Sequence, residues 1–132
     1  MDILREYANM ITISITSALL WLFGCFDITL QVLFVMIVLD YITGILVGYK
    51  KGTLSSKKGK EGILKKFGII CCVIVSALAD KILGSNMVLR TAIILCFIGN
   101  EGISVLENAT KLGVPIPTKL KDALLQLKGK DK

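Results

Sequence analysis

Two carboxylate residues interrupt long apolar runs of the sequence. Asp40 stands near the middle of one run, and Glu101 stands in another, together with Arg90 and Asn100. Placing a charged side chain in lipid costs at least ~2.5–3.5 kcal/mol, so such residues pair, share a proton or face water. Because Asp40 and Glu101 carry the same charge, they cannot form an ion pair with each other. These four residues are therefore predicted to be membrane-embedded polar groups that line a lumen or hold an assembly together.

Enzymatic and metal-binding chemistry has little support in the sequence. The chain has no histidine, and its four cysteines form no C-x-x-C pair. It also lacks a G-x-S-x-G nucleophile motif and a glycine-rich phosphate loop, which are the common local signatures of hydrolases and nucleotide-binding enzymes. We therefore expect no catalytic site, no metal site and no cofactor.

The apolar runs are long enough to form transmembrane helices. Hydrophobic residues make up 54% of the chain, and a helix needs about 20 apolar residues to cross a bilayer. The pattern predicts an all-α integral membrane protein in which residues 1–132 form one domain. Four spans are predicted, with three as the alternative, and a C-terminal amphipathic helix follows them. The expected spans cover residues 8–26, 28–49, 63–80 and 87–106.

The lysines indicate the orientation of these spans. Seven of them surround the segment between the second and third spans, a predicted cytoplasmic loop over residues 50–62 that binds the inner leaflet: Lys50, Lys51, Lys57, Lys58, Lys60, Lys65 and Lys66. The tail, residues 107–132, is also rich in lysine. Basic residues favour the cytoplasmic side of a membrane. Four spans place both basic segments and both termini there, whereas three spans would put the tail outside.

The net charge of +6 raises the question of nucleic acid as a partner. Single-stranded nucleic acid is usually bound by aromatic side chains interleaved with basic ones, and the lysine-rich segments do not show that pattern. Basic residues that flank apolar spans bind anionic headgroups instead. The expected partners are therefore membrane lipids and not nucleic acid.

Two further features concern the ends of the predicted helices. Asp80 and Arg90 both fall near the outer end and are expected to pair across the third and fourth helices. Pro115 and Pro117 follow the fourth span and must break a helix, because proline donates no backbone hydrogen bond. The amphipathic helix after them is expected to lie on the inner membrane surface, with packing against a partner subunit as the alternative.

Short motifs follow one another across most of the chain. The segment LDYITG occupies residues 39–44, and EGILKK occupies residues 61–66. The most specific piece, NEGISVLEN, occupies residues 100–108, and GVPIP follows at 113–117. This ordered set resembles the family of phage-lysis and toxin-secretion holins. That family includes holins of phages of Gram-positive hosts and the holin-like protein of clostridial toxin loci.

The resemblance implies a non-enzymatic, multi-pass protein of the bacterial cytoplasmic membrane. Its homo-oligomers would form large lesions that release an endolysin or a toxin without a signal sequence. Direct binding of that cargo would not be required.

Two other classes of function remain open at this point. A small proton-coupled multidrug exporter would use Asp40 as its coupling residue, because such exporters also carry a carboxylate within short membrane helices. A non-lytic membrane adaptor would dock an acidic partner on its lysine-rich segments. Release of a large cytoplasmic protein would distinguish a holin from both.

Overall fold

A computed structural model describes residues 1–129 of the chain, and residues 130–132 of the expected tail lie outside the described part. The described residues are all-helical, as predicted, and form five helices: α1 (Asp2–Phe23), α2 (Ile28–Lys51), α3 (Ser56–Leu83), α4 (Val88–Lys111) and α5 (Thr118–Leu127). In this part of the chain three helices, α2, α3 and α4, are long and apolar enough to cross a membrane.

Side-chain and glycine caps set the ends of α2 and α3. The Asp27 carboxylate accepts a hydrogen bond from a backbone N–H in the first turn of α2 at 3.1 Å. The Ser55 hydroxyl accepts one from the first turn of α3 at 3.3 Å. Gly52 and Gly84 end these helices with φ values of 66° and 65°, which glycine adopts without steric strain. The links between helices are therefore short, and successive helices fold back on each other.

The centre of the bundle consists of α2, α3 and α4. Its buried apolar residues recur every three or four positions, the helical period, and form one cluster: Leu30, Leu33, Ile37, Ile69, Val73, Ile94 and Ile98. The ends of α2 and α4 meet where the Lys50 ammonium donates to the Lys111 carbonyl at 3.1 Å. Their starts also meet, through Asp27 and Arg90. Thus α2 and α4 run parallel, and α3 runs antiparallel to both.

Helix α3 begins earlier than the hydropathy pattern predicted. Only residues 52–55 separate α2 from α3, so most of the predicted loop over residues 50–62 is helical. Lys57, Lys58 and Lys60 lie in the first turns of α3, where lysine has good helix propensity. Hydropathy identified only the apolar part of α3, because the first turns of this helix are rich in lysine. As a result Lys66 lies well inside α3.

The first helix lies at the edge of the bundle. No residue of α1, all of which the structure describes, is buried. It packs along α3, and the ammonium of Lys81 on α3 lies 4.0 Å from the centre of the Trp21 ring. The same ammonium donates to the Trp21 carbonyl. Polar contacts thus hold α1 most closely at its C-terminal end.

The last helix, α5, packs against α4 of its own chain, whereas its amphipathic pattern predicted a position on the inner membrane surface or against a partner subunit. Pro115 and Pro117 lie in the link between α4 and α5. A Cβ atom at Gly99 would stand 2.8 Å from the Leu124 carbonyl, and one at Gly102 would stand 3.0 Å from the Leu124 side chain. These two glycines therefore form the flat face of α4 that receives α5.

Candidate functional site

One polar cluster joins the three central helices near their midpoints. The Lys66 ammonium on α3 forms salt bridges with the carboxylates of Asp40 on α2 and Glu101 on α4. All three side chains are largely buried, with 12%, 13% and 5% of their surface exposed, respectively. We call these residues the lysine cluster. The two carboxylates that cannot pair with each other are thus brought together by a cation between them.

An amide supports the Asp40 side of the lysine cluster. Asn108 on α4 donates to the Asp40 carboxylate at 3.2 Å and to the Thr43 hydroxyl at 2.9 Å. The Thr43 hydroxyl in turn donates to the Leu39 carbonyl at 2.8 Å. This chain of donors orients Asp40, because each polar atom has a specific partner in a region of low dielectric constant.

The charges of the lysine cluster do not cancel. Two carboxylates face one ammonium, so the three groups sum to −1 when all are ionised. Breaking a buried ion pair by removing one partner is costly, because the other charge then stays buried without compensation. The cluster therefore links α2, α3 and α4 through two carboxylates that outnumber the single ammonium.

A second polar cluster lies where α2 and α4 begin. The Arg90 guanidinium is fully buried, with 0% of its side-chain surface exposed, and it pairs with Asp27 at 2.9 Å. It also donates to the backbone carbonyls of Phe23 and Cys25 at the end of α1. The planar fork of arginine suits such multiple acceptors. We call Arg90, Asp27 and Asp80 the arginine cluster.

Asp80 meets Arg90 through the backbone and not through the guanidinium. Its carboxylate accepts the Arg90 backbone N–H at 2.7 Å and the Leu89 backbone N–H at 3.1 Å. Those N–H groups lie in the first turn of α4, which has no side-chain cap of its own. Asp80 on α3 therefore caps α4, and a carboxylate there is also favoured by the helix dipole. The expected contact between Asp80 and Arg90 exists, but Asp27 takes the guanidinium.

Arg90 also sets the protonation of Asp27. Hydrogen bonding from the Arg90 guanidinium lowers the pKa of Asp27 from 3.8 to about 2, and hydrogen bonds from Leu30 and Thr29 act in the same direction. Partial burial opposes this shift, because it disfavours the charged form. Asp27 is thus ionised at neutral pH and fixes the turn between α1 and α2.

The structure places the other predicted residues at separate positions. Asn100 is half-buried on α4 beside Glu101, and Pro115 and Pro117 lie before α5. Asp27 and Asn108 were missed by the sequence analysis, although Asp27 at the start of an apolar run is a common N-cap signal. Lys66 was assigned to the basic loop, because nothing in local hydropathy separates it from its neighbours.

Comparison with known proteins finds one matching family and several related proteins. The bacteriophage holin family matches residues 17–129. An uncharacterized 14.9 kDa protein from the nagH 3' region of Clostridium perfringens is 43% identical over 131 residues, which cover 98% of this chain and 99% of that protein. The Bacillus phage phi105 protein named Probable holin is 36% identical over 95 residues, which cover 72% of this chain and 70% of that protein. No solved structure matches the chain.

These matches bear on the resemblance that the motifs indicated. The family match includes both carboxylates and the lysine of the lysine cluster, together with the whole arginine cluster, because it extends over residues 17–129. The phage relative carries the holin name itself. The family points to a membrane protein that is not an enzyme, in agreement with the sequence analysis. This chain belongs to the bacteriophage holin family.

Proposed function

We propose that this protein is a holin that assembles in the bacterial cytoplasmic membrane into large lesions. The observation that carries the proposal is the family match over residues 17–129. The lesions would release an endolysin, or a toxin that has no signal sequence. The cargo would pass through the lesion without binding to the protein.

The proposed topology has four spans, α1 to α4, with both termini in the cytoplasm. Helix α1 is less apolar than the other three, because it begins with Asp2, Arg5 and Glu6. Its uncharged part, residues 7–23, nevertheless reaches the lower end of the range of ~17–25 residues for a span. The surface of α1 is rich in exposed apolar side chains, such as Ile11, Ile15 and Leu19, and these suit lipid contact. In this topology the lysine-rich start of α3 faces the cytoplasm, and the arginine cluster lies near the outer surface.

We assign the lysine cluster to assembly. Within one subunit the residue Glu101 is only 4% exposed, so its carboxylate lies inside the bundle and not against lipid. A ring of subunits could line a wide lumen only if some polar surface turned inward. When the surplus carboxylate of the lysine cluster is ionised, its hydration would give such a rearrangement a driving force, because hydration of a buried charge is strongly favourable.

The test is inducible expression in a bacterium, with membrane potential recorded beside leakage of a large folded reporter enzyme. We expect sudden depolarisation together with reporter release. Depolarisation with the reporter retained would contradict a large lesion and favour the exporter. An unchanged membrane potential at an equal protein level would contradict the holin and the exporter and would favour the adaptor.

Variants of Glu101 test the assembly role separately. Glu101→Leu removes the carboxylate, whereas Glu101→Asp keeps the charge with a shorter side chain. We expect Glu101→Leu to change both the time of reporter release and the oligomer size, and Glu101→Asp to change them less. If Glu101→Leu leaves both quantities unchanged, the role assigned to Glu101 is wrong.

The exporter hypothesis has less support from the site. A coupling carboxylate must bind and release a proton during transport, but Asp40 is held by Lys66 and Asn108. The comparisons likewise favour neither the exporter nor the adaptor. We therefore keep both only as outcomes of the expression test.

A further inference from the structure

A cavity of about 420 Å³ opens beside the lysine cluster, between α2, α3 and the C-terminal part of α4. It extends along α2 from Asp40 to Lys51, roughly 16 Å at ~1.5 Å of rise per residue. Four lysines line it: Lys51, Lys58, Lys65 and Lys66. The cavity therefore lies at the end of the bundle where the positive charge is concentrated.

Three of these lysines have no acidic partner among the described residues. Lys66 is engaged by Asp40 and Glu101, but the described part of the chain places no carboxylate within 4.0 Å of Lys51, Lys58 or Lys65. Like charges that converge on one cavity repel each other unless an anion lies between them. The four lysines and the Asp40 carboxylate give the cavity lining a formal net charge of +3, which favours an anionic ligand over a cationic one.

The backbone reinforces this preference. Lys58 and Gly59, in the first turn of α3, contribute to the cavity wall, so the N-terminal end of this helix, where the helix dipole favours negative charge, borders the same space. A Cβ at Gly59 would stand 3.6 Å from the Tyr41 hydroxyl, and one at Gly62 would stand 3.3 Å from the Tyr41 ring. The two glycines therefore let Tyr41 lie close against α3.

The rest of the wall is partly apolar and partly polar, and its polar side chains are those of Asp40, Thr53, Ser104 and Asn108. Ile45, Val47 and Leu54 line it, and Ile45 and Leu54 are 36% and 54% exposed. A free inorganic anion gains nothing from apolar walls. A lipid uses both parts of such a site, because its phosphate meets the lysines and its glycerol and first acyl carbons meet the aliphatic side chains. Basic pockets between membrane helices bind anionic headgroups in this way.

From this combination we infer that the cavity binds the phosphate-bearing headgroup of an anionic phospholipid. Lys51, Lys58 and Lys65 contact the phosphate, and Tyr41 offers a hydroxyl beside it. This site differs from a general attraction of the basic segment to the membrane surface, because only some lysines of that segment line the cavity. Lys57 and Lys60, which lie on the same turns of α3, do not line the cavity in the described structure.

That division among neighbouring lysines supplies a matched control. The test is native mass spectrometry of the full chain in mild detergent, titrated with phosphatidylglycerol or with phosphatidylcholine. The variant Lys58→Gln/Lys65→Gln removes two cavity charges, and Lys57→Gln/Lys60→Gln removes two charges from the same region outside the cavity. Circular dichroism checks that both variants keep their helical content.

We expect the wild type to retain phosphatidylglycerol in preference to phosphatidylcholine. The cavity variant should bind phosphatidylglycerol at least tenfold more weakly (roughly one order of magnitude for two lysine contacts), and the control variant should bind it like the wild type. Lys58→Arg/Lys65→Arg should restore binding. Equal losses in both glutamine variants, or no preference between the two lipids, would overturn the inference.

A second variant separates the shape of the cavity from its charge. Gly59→Leu leaves every lysine in place but fills the space beside Tyr41, so it should also abolish lipid retention. Inorganic phosphate is added as a separate competitor. Displacement of the lipid by millimolar phosphate would mean that the lysines alone hold a free anion, which would contradict the lipid assignment. Because lipid retention is measured without lysis, this test can fail while the holin function stands.

Discussion

The arginine cluster and the lysine cluster each pair a buried basic side chain with acceptors, but they do so in different ways. Arg90 has 0% exposure and spreads its donors over Asp27 and two backbone carbonyls. Lys66 is 12% exposed and places one compact charge between two carboxylates. The acceptors of Arg90 belong to a turn and a helix end, whereas those of Lys66 belong to two separate helices.

Because of this difference, we expect the arginine cluster to keep one arrangement and the lysine cluster to be able to rearrange. Backbone carbonyls do not titrate, and a guanidinium stays charged at every accessible pH. At neutral pH the arginine cluster therefore has only one satisfied arrangement. The lysine cluster has a surplus carboxylate, so its ammonium and a proton have alternative positions. If the bundle rearranges during assembly, we expect the change to begin at the lysine cluster.

The largest effect is expected from removing the guanidinium. Arg90→Met leaves the Asp27 carboxylate and two carbonyls without their donor and should lower the free energy of unfolding by about 3–5 kcal/mol. Arg90→Lys should recover only part of this loss, because an ammonium cannot reach all the acceptors. Chemical unfolding in detergent, followed by circular dichroism, measures both variants. Full recovery by Arg90→Lys would contradict the role of the planar fork.

A smaller effect is expected at the other cluster. Lys66→Met leaves Asp40 and Glu101 facing each other, but they can share a proton, so the expected loss is about 1–3 kcal/mol. The double variant Lys66→Met/Glu101→Gln should be more stable than Lys66→Met alone, because it removes the repulsion. The same unfolding measurement checks this order. If Lys66→Met were as damaging as Arg90→Met, the two clusters would not differ in adaptability.

Acid should affect the arginine cluster within a defined range. The pKa of Asp27 is lowered from 3.8 to about 2 in the folded protein, so its stabilising contribution is complete above its unfolded value and is lost as the pH falls through the folded one. We expect the environment of Trp21, the sole tryptophan, to stay constant down to about pH 4 and to change between about pH 4 and 2.

Trp21 fluorescence in detergent records that change, and Asp27→Asn is the control. The variant should lack the transition, because it has no carboxylate to protonate there. A transition of the same size and midpoint in Asp27→Asn would assign it to another group.

The smallest effect is expected where α1 meets α3. Lys81→Gln removes the cation over the Trp21 ring, a contact worth about 0.5–1 kcal/mol at an exposed site. It should shift Trp21 emission and raise hydrogen exchange in α1 while leaving α2 and α4 unchanged. Hydrogen-exchange mass spectrometry resolves the helices separately. Faster exchange throughout the bundle would mean that α1 is more than a peripheral element.

The sequence predicted the helical class, the position of Asp40 and Glu101 within long apolar helices, and the region of the break before the tail helix. These features follow from hydropathy and proline chemistry, which act locally. The partner of the two carboxylates was not predictable, because it depends on which face of α3 turns inward. The start of α3 at Ser56 decides that the chain is helical through Lys66, and hydropathy carries little information about helix starts in charged segments.

The position of α5 was missed for a related reason. Its amphipathic pattern fits either a membrane surface or another helix. The deciding residues, Gly99 and Gly102, lie on α4 and have no side chains that would mark them as a contact face. A glycine pair of this kind becomes informative only when the opposing backbone is known.

The packing of α5 against α4 also has a consequence for the thickness of the lipid bilayer beside the subunit. Lys128 follows α5, and its backbone N would lie 3.0 Å from a Cβ added at Gly99, a position about halfway along α4 and therefore inside the bilayer in the proposed topology. An ammonium near that depth must extend toward water, or the lipid beside it must thin. The hydrophobic belt of the subunit is therefore expected to be uneven, shorter beside α5 than beside α2. Neighbouring subunits that align their short sides would share one thinned patch of lipid and reduce the total energy of hydrophobic mismatch.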